Sequence, residues 1–118
     1  MSIQDFVCYV LKVPVNLIGY GYICNSIEYV VENNGDLDFY GYVSNMYEKS
    51  YAAIEKCIRL AKDKSVDRMC DSDYEAIFLK TKKEGVSTKE FICYAAHYYR
   101  KEYMSIWGQK NEMFHIVV

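Results

Sequence analysis

Apolar residues recur along this chain at helical spacing, and the spacing predicts one helix after another. Ile3, Phe6, Val7, Val10 and Leu11 set a first helix from about Ser2 to Lys12, stopped by Pro14, the only proline. A second begins near Ile18 to Tyr20. Ile23, Cys24, Ile27, Val30 and Val31 form its buried face, and Asn33-Asn34-Gly35 ends it, because Asn and Gly tolerate positive φ. Asp36 is placed to cap a third helix, Leu37 to about Tyr47, with Phe39, Tyr40, Val43, Met46 and Tyr47 as its apolar face. Gly41 weakens that helix by about 1 kcal/mol relative to Ala, unless close packing there makes use of it. Ser50 is placed to cap a fourth, Tyr51 to Lys64. Its Ile54, Cys57, Ile58 and Ala61 stand at i, i+3, i+4 and i+7 and face inward. Ala52, Glu55, Lys56, Arg59, Lys62 and Asp63 then face outward.

After Ser65 the periodicity is weaker. Val66 to Asp71 suits a short helix. Ser72-Asp73-Tyr74-Glu75 fits a capping box leading into a helix through Ala76 to Lys80, although Ala76-Ile77-Phe78-Leu79 suits an extended segment equally. Gly85 closes this region. Ser87-Thr88-Lys89-Glu90 is a second capping box, and Phe91, Ile92, Ala95, Tyr98, Tyr99 and Ile106 predict a long last helix with Gly108 just past it. The tail Met113 to Val118 is apolar and is expected to pack on the domain or on a partner. With no internal repeat, low-complexity tract or linker, residues 1–118 read as a single all-α domain of five to six helices.

Composition narrows the function classes. The apolar fraction of 52% and the charged fraction of 25% are those of an ordinary soluble globular protein. No apolar run approaches the roughly 20 residues of a membrane span. The N-terminus lacks a basic region followed by an apolar run, so no signal peptide is expected and a cytoplasmic location is. Five cysteines, Cys8, Cys24, Cys57, Cys70 and Cys93, form no CxxC pair. They read as reduced thiols, the four in helical apolar patterns as buried ones. The thirteen tyrosines accompany abundant Ile, Lys and Asn, which an AT-rich genome explains, with a stacking or interface role as the alternative.

Motifs for catalysis are missing. There is no GxSxG, no HExxH and no phosphate-binding glycine loop, and Gly19-Tyr20-Gly21 lacks a third glycine. His97 falls within the apolar stripe of the last helix and His115 in the tail, neither with a partner at metal-ligand spacing. The pairs Asp36 and Asp38, and Asp71 and Asp73, lie near helix starts and suit capping. No enzyme, cofactor or metal is therefore expected.

What remains is the pair of turn-linked helices from Leu37 to Lys64. Although the net charge is −2, Lys49, Lys56, Arg59, Lys62 and Lys64 fall close together in sequence. Arg reaches guanine O6 and N7 bidentately, Lys reaches the same edge or a phosphate, and Glu accepts from cytosine N4. Glu55, Lys56 and Arg59 stand at i, i+1 and i+4, so they project together. The plain alternative is a solvated face carrying a Glu55–Arg59 pair worth a few tenths of a kcal/mol.

The chain also resembles the C-terminal DNA-binding effector domain of the stage 0 sporulation response regulator of endospore-forming Firmicutes. The resemblance runs from about Ile3 to Tyr103. Its anchors are Val13-Pro14 with Ile18-Gly19-Tyr20, Ser26-Ile27 leading to Val30-Val31, Ile54 to Ala61, and Ser87 to Ile92. It implies an all-helical fold with an embedded helix-turn-helix over about 37–64, whose second helix enters the major groove of duplex DNA. It also implies two domains in tandem on neighbouring sites. By position, Glu55 and Arg59 match base-contacting residues and Lys56 replaces an arginine, which loses the planar fork. Ala52 and Ala53 stand where the family has serine and arginine. The family's phosphoacceptor receiver domain has no counterpart in these 118 residues, so control by phosphorylation within the chain is not expected. The expected function is sequence-specific DNA binding and transcriptional regulation in a sporulation-related circuit. Lys49, Ser50, Glu55, Lys56, Arg59 and Lys62 are the expected contacts. The alternative is a protein-interaction module that has lost DNA binding and modulates a full-length regulator. Ala52, Ala53, the acidic balance and the apolar tail favour that alternative.

Overall fold

The structure, a computed structural model, describes residues 1–104. Among them there are six α-helices and no strand, so the fold class is all-α. Ile106, Gly108, His115 and the apolar tail lie outside the described residues.

The first helix differs in kind from its expectation. Only Ile3–Asp5 (α1) is α-helical, capped by Ser2 Oγ, which accepts from Asp5 N–H at 3.0 Å. Phe6–Val10 then widens into a π turn, and Leu11 N–H donates to Phe6 O at 3.0 Å. The wider turn sends Phe6, Val7 and Leu11 inward together. Lys12, at φ 62°, ends the run before Pro14.

α2 (Ile18–Glu32) is the central helix and packs on α3 (Phe39–Tyr47), α4 (Tyr51–Arg68) and α6 (Thr88–Tyr99). The expected Ile23, Cys24, Ile27, Val30 and Val31 are all buried. Asn34 and Gly35 take positive φ at its end, as the sequence implied. The closest approach lies at Gly19: a Cβ there would sit 2.2 Å from Cys57 O and 2.7 Å from Ala61 Cβ. Gly19 therefore serves helix packing and is no phosphate cradle.

α3 starts two residues later than its pattern suggested, with Asp38 at the N-cap. Asp36 closes the preceding turn instead: its Oδ1 accepts from Asp38 N–H at 3.0 Å and its Oδ2 from the Tyr29 hydroxyl at 3.1 Å. Phe39 and Val43 are buried, but in the last turn Met46 and Tyr47, expected on the same apolar face, are exposed at 46% and 38%.

α4 runs four residues past Lys64 and absorbs Val66 to Arg68, which had suited a separate helix. Ser65 looked like a break. It is fully buried instead, and its hydroxyl donates to Leu11 O, so a long-range partner satisfies it inside the helix. α5 (Asp71–Phe78) corrects a second local signal. Ser72 does not cap it. Cys70 occupies the N-cap without a side-chain capping bond, and Ser72 Oγ lies 3.3 Å from Cys70 Sγ. Ile77 and Phe78 are helical and buried, and Leu79, at φ 58°, ends the helix before Lys80. The Ser87 capping box of α6 is complete in both directions, at 3.1 and 2.9 Å. A second π turn, Arg100–Met104, follows.

One core joins these elements, with Phe6, Ile23, Ile27, Phe39, Ile54, Ile58 and Phe91 fully buried within it. The Phe6 ring packs on Tyr98, Tyr99 and Tyr103, and the Tyr99 hydroxyl donates to Met1 O, which ties the two ends of the described chain together. Cys24 is buried and its thiol is pushed up to about 11 by that burial. Cys8, Cys57 and Cys93 are half-buried and Cys70 is exposed, all as free thiols. No helix among the described residues is long and apolar enough to cross a membrane.

Candidate nucleic-acid interface

Three residues, Glu48-Lys49-Ser50, connect α3 to α4. Glu48 takes the left-handed conformation, φ 54° and ψ 44°. Its N–H and that of Lys49 both point to Ser44 O, the latter at 3.1 Å, and the Ser44 hydroxyl donates to Lys49 O. Ser50 then swings to extended geometry and its Oγ accepts from Ala53 N–H at 3.2 Å. The turn thus supplies a partner to the Ser44 carbonyl at the end of α3 and to the Ala53 N–H at the start of α4.

A second link braces the same corner. The Tyr51 hydroxyl, at the start of α4, donates to Asp38 Oδ1, at the start of α3, at 3.1 Å. The Asp38 carboxylate lies over Gly41, where a Cβ would come within 2.9 Å of Oδ1. A side chain at Gly41 would thus meet the movable end of the Asp38 side chain, and no neighbouring helix. The Tyr40 and Tyr51 rings pack with centroids 5.5 Å apart. Asp38 and Tyr51 were not legible as site residues, since their link spans two elements.

Against this brace, α4 presents Ala52, Ala53, Lys56, Arg59 and Leu60 to solvent, with Glu55 half-buried. Arg59 Nη1 donates to Glu55 Oε1 at 3.1 Å and Oε2 at 2.7 Å. Both contacts use Nη1, so the opposite edge of the guanidinium is not engaged by Glu55. The Tyr40 phenol is half-buried nearby and is pushed up to about 12, first by burial and then by the Glu55 charge. It stays protonated at every physiological pH.

Of the expected contact residues, Lys49, Ser50, Glu55, Lys56 and Arg59 lie along the turn and the first half of α4. Lys62 does not belong with them. Its side chain is only 13% exposed, and its Nζ donates to Val86 O at 3.0 Å and stands 3.6 Å from Asp63. Helical geometry alone pointed it outward, but the chain before α6 folds back over it. The remaining face is mixed in charge, with Glu48 and Glu55 among Lys49, Lys56 and Arg59, and mixed in polarity. Met46, Tyr51 and Leu60 are exposed on α3 and α4.

Among the described residues no group of three or more His, Cys, Asp or Glu could hold a metal ion. His97 corrects its expectation: it faces solvent and is not part of the apolar stripe. It borders a shallow hollow with Cys93 and Arg100. No family model matches the chain, and no curated protein is detectably similar to it.

Proposed function

We propose that this protein binds duplex DNA, using α3 and α4 as a helix-turn-helix with α4 as the helix that enters the major groove. The braced three-residue turn carries the proposal. It fixes α4 against α3 while leaving Lys49, Lys56 and Arg59 exposed along the turn and the first half of α4. The ordered sequence anchors shared with the sporulation-regulator effector domain support it independently.

Each side chain then has a role. Arg59, aimed by Glu55, reaches guanine O6 and N7 with its unengaged edge. Glu55 also accepts from a cytosine N4 where that base is adjacent. Lys56 contacts a base edge or a phosphate, and Lys49 a phosphate. The Ser50 oxygen is occupied as a cap, but its proton remains to donate to a phosphate oxygen. The output is transcriptional regulation, within sporulation or a related circuit. Selection from a randomised duplex pool tests this: enrichment of a defined sequence by the wild type, lost with Arg59→Ala, is the expected result. A pool that stays random for both proteins counts against it.

A second reading has its own observation. Met46, Tyr51 and Leu60, 46–53% exposed around a charge-mixed face, suit a protein partner such as a full-length regulator. Capture of such a regulator, abolished by Leu60→Asp and unaffected by Arg59→Ala, would favour it over DNA.

A further inference from the structure

Ala52, Lys56 and Arg59 stand at i, i+4 and i+7 along α4, so they share one face, and all three are exposed. Lys56 and Arg59 end in hydrogen-bond donors, whereas Ala52 ends in a methyl. The line that would meet the bases therefore begins apolar and turns cationic. The Glu55 contact sets its spacing. Arg59 Nη1 donates to both Glu55 carboxylate oxygens, at 3.1 and 2.7 Å, which draws the guanidinium back toward the N-terminus of α4. Glu55 follows Ala52 by three residues, about 4.5 Å along the axis. Base pairs stack about 3.4 Å apart. A base edge against the Ala52 methyl thus lies about one or two base pairs from the edge that the guanidinium faces.

The chemistry of the groove then decides which base suits Ala52. Guanine, adenine and cytosine present donors and acceptors there, and thymine alone presents a methyl group. Against guanine O6 or cytosine N4, the Ala52 methyl excludes water without supplying a partner, which is unfavourable. Against the thymine methyl it buries apolar surface on both sides. Ala52 is also short enough for the start of α4 to come close to the base edges.

Resting on the reading of α4 as the helix that enters the major groove, we infer that Ala52 determines specificity: its methyl packs on the 5-methyl of a thymine one or two base pairs from the guanine that Arg59 reads. The preferred duplex carries both bases at that fixed spacing. Ala53 is equally exposed but turned about 100° around the helix, away from this line, and takes no part.

Uracil differs from thymine only by lacking the 5-methyl, so replacing each thymine of the selected duplex singly by uracil tests this on the full chain. Fluorescence anisotropy with wild type should show a loss of about fourfold at one thymine beside the guanine. Ala52→Gly should bind the unmodified duplex about fourfold more weakly and lose nothing further on that replacement. Ala53→Gly, which bears the same helix penalty, should keep the wild-type sensitivity. A wild type indifferent to every replacement, yet still dependent on Arg59, would overturn the inference and leave the DNA reading standing. An Ala52→Gly variant that retains the fourfold loss would do the same. A randomised pool from which no sequence is enriched would remove both.

Discussion

A guanidinium held by a carboxylate one helical turn earlier is aimed before any partner arrives. That is the state of Arg59, with Glu55 at 2.7 Å. The pair is exposed and adds little to stability, so its removal should be read in binding. Glu55→Gln is expected to leave the melting temperature within a degree or two while weakening DNA binding, as fluorescence anisotropy would show. Lys62 predicts the reverse. Lys62→Met should leave DNA affinity unchanged and lower stability by about 1 kcal/mol, because it abandons Val86 O. Glu90 makes a pH prediction. The Lys80 ammonium at 2.8 Å, then the Ser87 N–H, hold its carboxyl down at about 2, from an ordinary 4.5. A depressed folded pKa contributes stability above the unfolded value that is lost as pH falls toward the folded one. Lys80→Met should therefore be less stable than wild type at pH 7, with the gap closing between about pH 4.5 and 2 in paired thermal melts. A gap that persists at low pH would contradict this.

At the scale of elements, two backbone positions decide whether α4 sits where it must. Gly19 brings α2 onto the α4 backbone, and Cys57 O leaves no room for a methyl. Helix propensity alone would favour Gly19→Ala by about 1 kcal/mol. The contact reverses that sign, and a loss of about 3 kcal/mol is expected in urea denaturation. Glu48, left-handed in the turn, predicts the opposite: Glu48→Gly relieves its strain and should stabilise by about 1 kcal/mol. Elements with a strong period and a true cap were readable in the sequence. Ser50 and Ser87 cap their helices, and the α2 stripe is buried residue for residue. Ser65 and Ser72 misled because a serine's meaning depends on its partner. One bonds to Leu11 O, fifty-four residues away, and the other meets Cys70, so neither ends nor begins a helix. The cation positions of the candidate interface were likewise visible as a helical face. The burial of Lys62 was not, since it arises where the chain returns before α6.

Over the whole molecule, the net charge of −2 and the carboxylates interspersed on α4 limit nonspecific attraction to DNA. Any DNA affinity must then come from a few well-placed contacts, and with only Lys49 and Lys56 as cations near phosphates the salt dependence should be shallow. A slope of log K against log salt of about −2 is expected. The central claim is that α4 reads bases through Arg59. Its most direct test is an anisotropy titration of the selected duplex with wild type and Arg59→Ala at one salt concentration. A loss of about 1–3 kcal/mol in the variant, with its melting curve unchanged, is the predicted result. Equal affinity of the two folded proteins would contradict it.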